Sequence, residues 1–286
     1  MRGPQILVDS LVLRAGGYRH GNHWQYHSRS DHHSKVACWA ILFDLLRHCA
    51  LLRDHAARGL VGYGLNHQMG DFRTGRRKNL DLVVCRPRGV PASGPPAPTF
   101  AEQAIEIGVV LDPSAKAELA DLPRLVELPV GAVHIALEAK ACMTAFAKAR
   151  PRLYDELNSS HLAIHGNSPH TIAAGFAMVN VAESFISPSL NDHSLSTTAP
   201  RISLHNQPRD AAGIVEKLRE LPRRSRDGEE GYDALAIVAV DCRNDGSPVT
   251  IKTEPPAPQA GDVDQYDMAL HRLVQLYEQK YRNIAP

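Results

Sequence analysis

The chain has 286 residues, an ordinary 43% apolar content and a net charge of +1, so it has material for a full core and is not a uniformly basic nucleic-acid binder. No run reaches the ~18 apolar residues that span a bilayer, and residues 1–19, interrupted by Asp9 and Arg14, lack a signal-peptide layout. The five cysteines include no Cys-x-x-Cys pair, which argues against a disulfide framework or a zinc site and for reduced, buried thiols in a cytoplasmic protein with no membrane association.

Residues 34–55 predict the first long helix: Trp39, Leu42, Phe43 and Leu46 recur at helical spacing, and Ser30 or Asp31 can cap its start. Residues 80–85 read as a short buried strand, and residues 87–98, rich in proline and glycine, as a loop. Residues 104–111 alternate apolar and polar and predict a strand. Residues 125–128 predict another, and 133–138 a third. A helix over 141–158 follows, with Met143, Phe146, Leu153, Tyr154 and Leu157 as its core face and Pro151 as a kink or a break. Residues 172–185 form one long apolar strand, central to the sheet, and 187–209, with three prolines, a surface loop. The remainder predicts a helix over 211–221, strands over 234–241 and 249–253, and an amphipathic helix over 264–282 carrying Leu270, Leu273, Tyr277 and Tyr281. The order implies an α/β fold with a mixed central sheet flanked by helices. One domain would cover residues 1–286, its core at about 34–185 and a C-terminal α/β extension at about 211–282.

Charge is unevenly placed. Residues 1–88 hold 14 Lys and Arg against 6 Asp and Glu, and residues 139–226 hold 11 against 7, whereas the two intervening and final blocks are acidic. The basic blocks contain the chemically interesting residues. Asp81 lies in the apolar run at 80–85. Glu138-Ala139-Lys140 ends the run at 133–138, and alternation along a strand points Glu138 and Lys140 the same way. Two carboxylates on neighbouring strands can hold a divalent cation, and a lysine beside them can act on water or on a phosphate.

This pattern resembles the PD-(D/E)XK nucleases, the restriction-endonuclease-like superfamily. The resemblance rests on Asp81, on Glu138-Ala139-Lys140 and on the order of elements from about residue 34 to 181. Leu80 stands where the family has proline, and the long gap between Asp81 and Glu138 requires an insertion; Asp71 is the competing first acid. The resemblance implies a restriction-endonuclease-like core with terminal additions. It implies Asp81 and Glu138 as ligands of Mg2+, with Mn2+ as a substitute and the Ala139 carbonyl as a third oxygen, and Lys140 as the catalytic lysine. It further implies a DNA endonuclease, acting in defence as a restriction enzyme or an activated effector, with a homo-oligomer cutting both strands and an activator ligand or partner protein in reserve. The alternative is a catalytically inactive module of the same fold that binds DNA or a protein.

Arg73, Arg76, Arg77 and Lys78 precede Asp81, and Lys148, Arg150 and Arg152 follow Lys140; of these Arg73, Arg76, Arg77, Lys78, Lys148 and Arg152 are the candidate phosphate contacts. His20, His23, His27, His32 and His33 cluster without an interleaved cysteine, and their spacing fits no zinc pattern. Trp24, Tyr26 and Arg29 among them could stack on bases. Asp44 reads as a surface acid of the first helix, with an extra acid facing the site, which the resemblance allows, as its alternative; Asn180 and Glu183 read as structural polars, and the Arg223-Arg224-Ser225-Arg226 run as a self-paired flexible loop. No Gly-rich phosphate loop, Gly-x-Ser-x-Gly elbow or His-Glu-x-x-His motif points to another enzyme class.

Overall fold

The computed structural model describes residues 1–15, 18–89 and 97–284. Most of the loop expected at 87–98 therefore lies outside the described residues. The fold is α/β. Its centre is a six-stranded mixed sheet whose spatial order follows chain order: β1 (Gly62–Gly70), β2 (Arg77–Pro87), β3 (Val130–Cys142), β4 (Ile172–Asn180), β5 (Ala234–Asp241) and β6 (Thr250–Lys252). The first three strands form an antiparallel meander. β3, β4 and β5 run parallel to one another, and β6 returns antiparallel on the far edge. The strands of the C-terminal extension thus belong to the same sheet as the core.

Among the described residues eight α-helices surround it: α1 (Gly3–Ser10), α2 (His32–His48), α3 (Ala50–Ala57), α4 (Phe100–Ile107), α5 (Pro113–Ala120), α6 (Phe146–Asn167), α7 (Arg209–Arg219) and α8 (Tyr266–Tyr281). The β3–β4 and β4–β5 connections are parallel crossovers, and α6 and α7 lie within them, as parallel pairing requires. α6 and α7 cover one face, packing Leu153, Leu157, Ile214 and Leu218 on Val83, Ala136, Ala177 and Ile237. α2 and α8 cover the other, where Leu42, Leu46, Leu270 and Leu273 join Leu137, Phe176 and Val238 in one cluster. Trp39 of α2 stacks on Phe43 and on Phe100 of α4, with ring centroids 5.4 and 4.5 Å apart.

Several expected elements take another form. The helix expected at 34–55 is two helices, because Cys49 leaves helical geometry at φ −104° and ψ 101° and its sulfur accepts the N–H of Leu52 to start α3. Residues 104–111 are not a strand. Thr99 and Glu102 form a reciprocal capping box, and the apolar residues after it lie on a helix that ends at Gly108 in the left-handed region. Residues 125–128 contribute isolated bridges only. β3 runs on through Cys142, so α6 starts at Phe146, and its 22 residues continue through Pro151 to Asn167. The strand expected at 172–185 stops at Asn180, and residues 184–186 turn away to pair with 202–204 in a separate ribbon.

One irregularity positions the site. Asn66 on β1 stands opposite Asp81 on β2, between the pairs Leu65–Leu82 and His67–Leu80, and has φ 47°. Asparagine tolerates this left-handed conformation better than most residues. Leu82 and Val84 pack with α2, yet Leu80, two residues before Leu82, packs with Met69 on the α6 side. The hairpin thus changes face at Asp81 and curls over α6. Its far end is held there by Phe72 N–H on the Gly166 carbonyl at 3.3 Å and by the Asn167 amide on the Gly70 carbonyl at 3.2 Å.

Candidate active site

Val83 pairs with Ala136 and Leu82 with Leu137, which brings Asp81 level with Glu138 on the adjacent strand. The ladder ends there. Asp81 Oδ2 instead accepts the backbone N–H of Ala139 at 2.8 Å, so a side chain continues the pairing where the strands diverge. Glu138 is 2% exposed and Lys140, from the same face of β3, is 26% exposed, with its ammonium 2.6 Å from Glu138 Oε1. The other oxygen of Glu138 is buried without a hydrogen-bond partner. Burial, with the Asp81 charge adding to it, pushes the Glu138 carboxyl up to about 7 despite the pull of Lys140. Burial also raises Asp81, opposed by the Ala139 N–H, Lys140 and the Ser34 side chain. Burial works against the charge on Lys140, but Glu138 and Asp81 outweigh it and leave the ammonium favoured.

Two carboxylates drawn together in a dry place repel, and such a pair is eased by a shared proton or by a cation. Among the described residues no group of three or more His, Cys, Asp and Glu side chains is gathered as a ready-made metal cage. Mg2+ does not require one, since it keeps several waters and is held by one or two carboxylates plus substrate oxygens. The unpartnered Glu138 oxygen and the adjacent Asp81 fit that requirement.

Asp81 and Lys140 open into a cleft of about 510 Å3. One wall is the segment entering α2, including Tyr26, Arg29, His33 and Ser34; the other is the first turns of α6, including Lys148 and Arg152; Ser187 and Ser189 close the rim. Lys148 and Arg152 therefore line the same cleft as Lys140, although Arg152 is paired with Glu156 at 2.7 Å. Lys78, on β2, is near enough to Glu138 to lower its carboxyl. Arg73 and Arg76 are elsewhere. They line a second depression over α6, with Ser159, Leu162 and Glu230, and Arg73 lies 3.5 Å from Asp71 and 3.7 Å from Glu230. Arg77 is exposed at the start of β2, and Arg150 faces Gly213 of α7.

The competing acid Asp71 is not in the cleft. It is buried and organises the hairpin turn, accepting the Arg73 N–H at 2.8 Å and the Thr74 hydroxyl at 2.7 Å. Asp44 is fully buried rather than a surface acid, and it accepts the Gly3 N–H at 2.7 Å and the Tyr266 hydroxyl at 3.1 Å. Asn180 ties strand ends together through the carbonyls of Met143 and Cys242 at 3.0 and 2.9 Å. Arg224 is buried, not part of a free loop, with Asp233 at 2.8 Å; Arg226 does pair locally with Glu229. The structure divides the histidine-rich segment: Trp24 is buried, Tyr18 stacks on His27 at 4.4 Å, and of the five clustered histidines among the described residues His33 lines the cleft, beside Tyr26, Arg29 and Asp31. Arg29, Ser34 and His33 carry no motif; the signal was their position, at the start of a helix packed on β3.

No family model, curated protein or solved structure matches this chain. Among the described residues no helix is long and apolar enough to cross a membrane.

Proposed function

We propose that this chain is a metal-dependent DNA endonuclease that hydrolyses phosphodiester bonds with Asp81, Glu138 and Lys140. The observation that carries the reading is the buried, unpartnered Glu138 oxygen beside Asp81, with the Lys140 ammonium on the same strand face. The element order supports it: a helix, an antiparallel meander, a crossover helix and a parallel strand is the core order that the nuclease resemblance implies.

In this reading Asp81 and Glu138 hold Mg2+ or Mn2+, with the Ala139 carbonyl as third oxygen. A bound divalent cation supplies Lewis acidity at the phosphate and an acidified water. Lys140 keeps its charge against Glu138 and stabilises negative charge building on the phosphate. Lys148 and Arg152, which line the cleft, and Lys78, whose charge reaches Glu138, meet the nearest phosphates, and Arg73 and Arg76 over α6, with the exposed Arg77, meet only a duplex that extends past the cleft along the hairpin. The setting is cytoplasmic defence against foreign DNA, as a restriction enzyme or an effector switched on by an activator, with two copies cutting the two strands. The test is incubation with plasmid and Mg2+, with and without EDTA, beside Lys140→Ala. Cleavage that needs both the metal and Lys140 supports the enzyme; DNA binding without cleavage replaces it with the binding module.

A further inference from the structure

Building on the nuclease reading, we propose that His33 is the general base of the hydrolysis, the group that takes the proton of the attacking water. Several other acid–base groups near the cleft are committed. The Lys140 ammonium is held by Glu138 at 2.6 Å. Asp81 and Glu138 are the cation ligands of the proposal. Asp31 pairs with Lys35 at 2.8 Å and Glu156 with Arg152 at 2.7 Å. Tyr26 is held protonated by its burial, which pushes its phenol up.

His33 differs in three respects. It projects from the first turn of α2 into the cleft that Lys140 enters from β3. Its ring packs against Tyr26 with centroids 4.8 Å apart, which fixes its plane. The Ser30 carbonyl lies against the ring and favours a proton on the nitrogen facing it, which leaves the lone pair on the other nitrogen. Among the described residues His33 makes no ion pair. The charged and titratable groups facing it are Asp31 and His32 from its own turn and Lys140 from β3. Burial, then Lys140, pushes it down to about 4, so the imidazole is in its neutral form at neutral pH.

The step balances without a further reactant. Water gives its proton to the free His33 nitrogen, and its oxygen forms the new bond to phosphorus. The bond from phosphorus to the leaving sugar oxygen breaks, that oxygen takes a proton from solvent, and His33 returns its proton to solvent.

The experiment is single-turnover cleavage of plasmid by the Mg2+-loaded chain, with DNA affinity and thermal melts measured alongside. His33→Ala should lower the cleavage rate about 100-fold, the lower end of general-base effects, with DNA affinity and melting unchanged. Imidazole at millimolar concentration should restore about a tenfold gain, because the cleft is open to solvent and the missing ring leaves room. If alanine unfolds the turn, His33→Gln is the second variant, and it should show the same loss with no rescue. A parent-like rate in either variant overturns the assignment, as does a folded His33→Ala whose lost rate imidazole does not restore. A parent chain that cuts nothing with Mg2+ or Mn2+ instead refutes the nuclease reading on which the assignment rests.

Discussion

Asp81 accepts the backbone N–H of Ala139 at 2.8 Å, so the first acid is tied to the residue between the second acid and the lysine. The carboxylate therefore serves the fold as well as the proposed chemistry, and the two roles separate by substitution. Asp81→Ala leaves the N–H of the buried Ala139 without an acceptor, at a cost of about 1–3 kcal/mol. Asp81→Asn keeps an acceptor and removes the charge that crowds Glu138. In melts without divalent metal, Asp81→Ala should unfold below the parent and Asp81→Asn at or above it. Stabilisation by added Mg2+ or Mn2+ should be lost in both.

The raised Glu138 carboxyl gives the metal-free protein a pH dependence of definite sign. The carboxyl titrates at 4.5 in the ordinary case and at about 7 in the folded chain, so the folded state holds a proton that the unfolded state releases. Its contribution is full below pH 4.5 and is lost as pH rises through about 7, a span worth roughly 3 kcal/mol. Melting in EDTA should fall across that window. Glu138→Gln should remove this part of the slope.

Lys140 offers no lone pair while it is bound to Glu138, so its removal should spare metal binding. Lys140→Ala should reduce hydrolysis about 10²–10³-fold, the scale of deleting one electrostatic stabiliser. Calorimetric titration with Mn2+ should give near-parental affinity for the same variant.

The two basic groups should behave differently. Lys148→Glu, on the cleft wall, should weaken DNA binding across sequences and flatten the salt dependence by about one unit of slope. Arg73→Glu, on a residue already facing Asp71 and Glu230 over α6, should change the slope less. Equal effects would extend the DNA path along the hairpin.

Asp44 should matter for stability alone. Asp44→Ala strands the buried Gly3 N–H and the Tyr266 hydroxyl and unpairs Arg47, which should lower stability by about 3 kcal/mol without altering metal affinity.

The layers and the strand-borne Asp81, Glu138 and Lys140 were legible in the sequence because strand alternation and apolar runs report directly on a buried sheet. β1 was not legible. Gly62–Gly70 carries three glycines, an asparagine and a glutamine, and its strand form depends on pairing with β2. α1 and α5 are eight residues each and too short for a clear period. Asp44 looked like any polar residue on a helix, because its partners lie 41 and 222 positions away in the chain. The cleft wall from Arg29 to Ser34 became visible only once α2 was laid on the sheet.

The grip of Asp44 on both Gly3 and Tyr266 has a consequence for the order in which the molecule is made. α2, which presents His33 and Ser34 to the cleft, is clasped on one flank by the first helix and on the other by the last described one. During synthesis the clasp cannot close until α8 has emerged from the ribosome. The flank of α2 that carries Asp44 is therefore completed by a residue that is made after Asp81, Glu138 and Lys140.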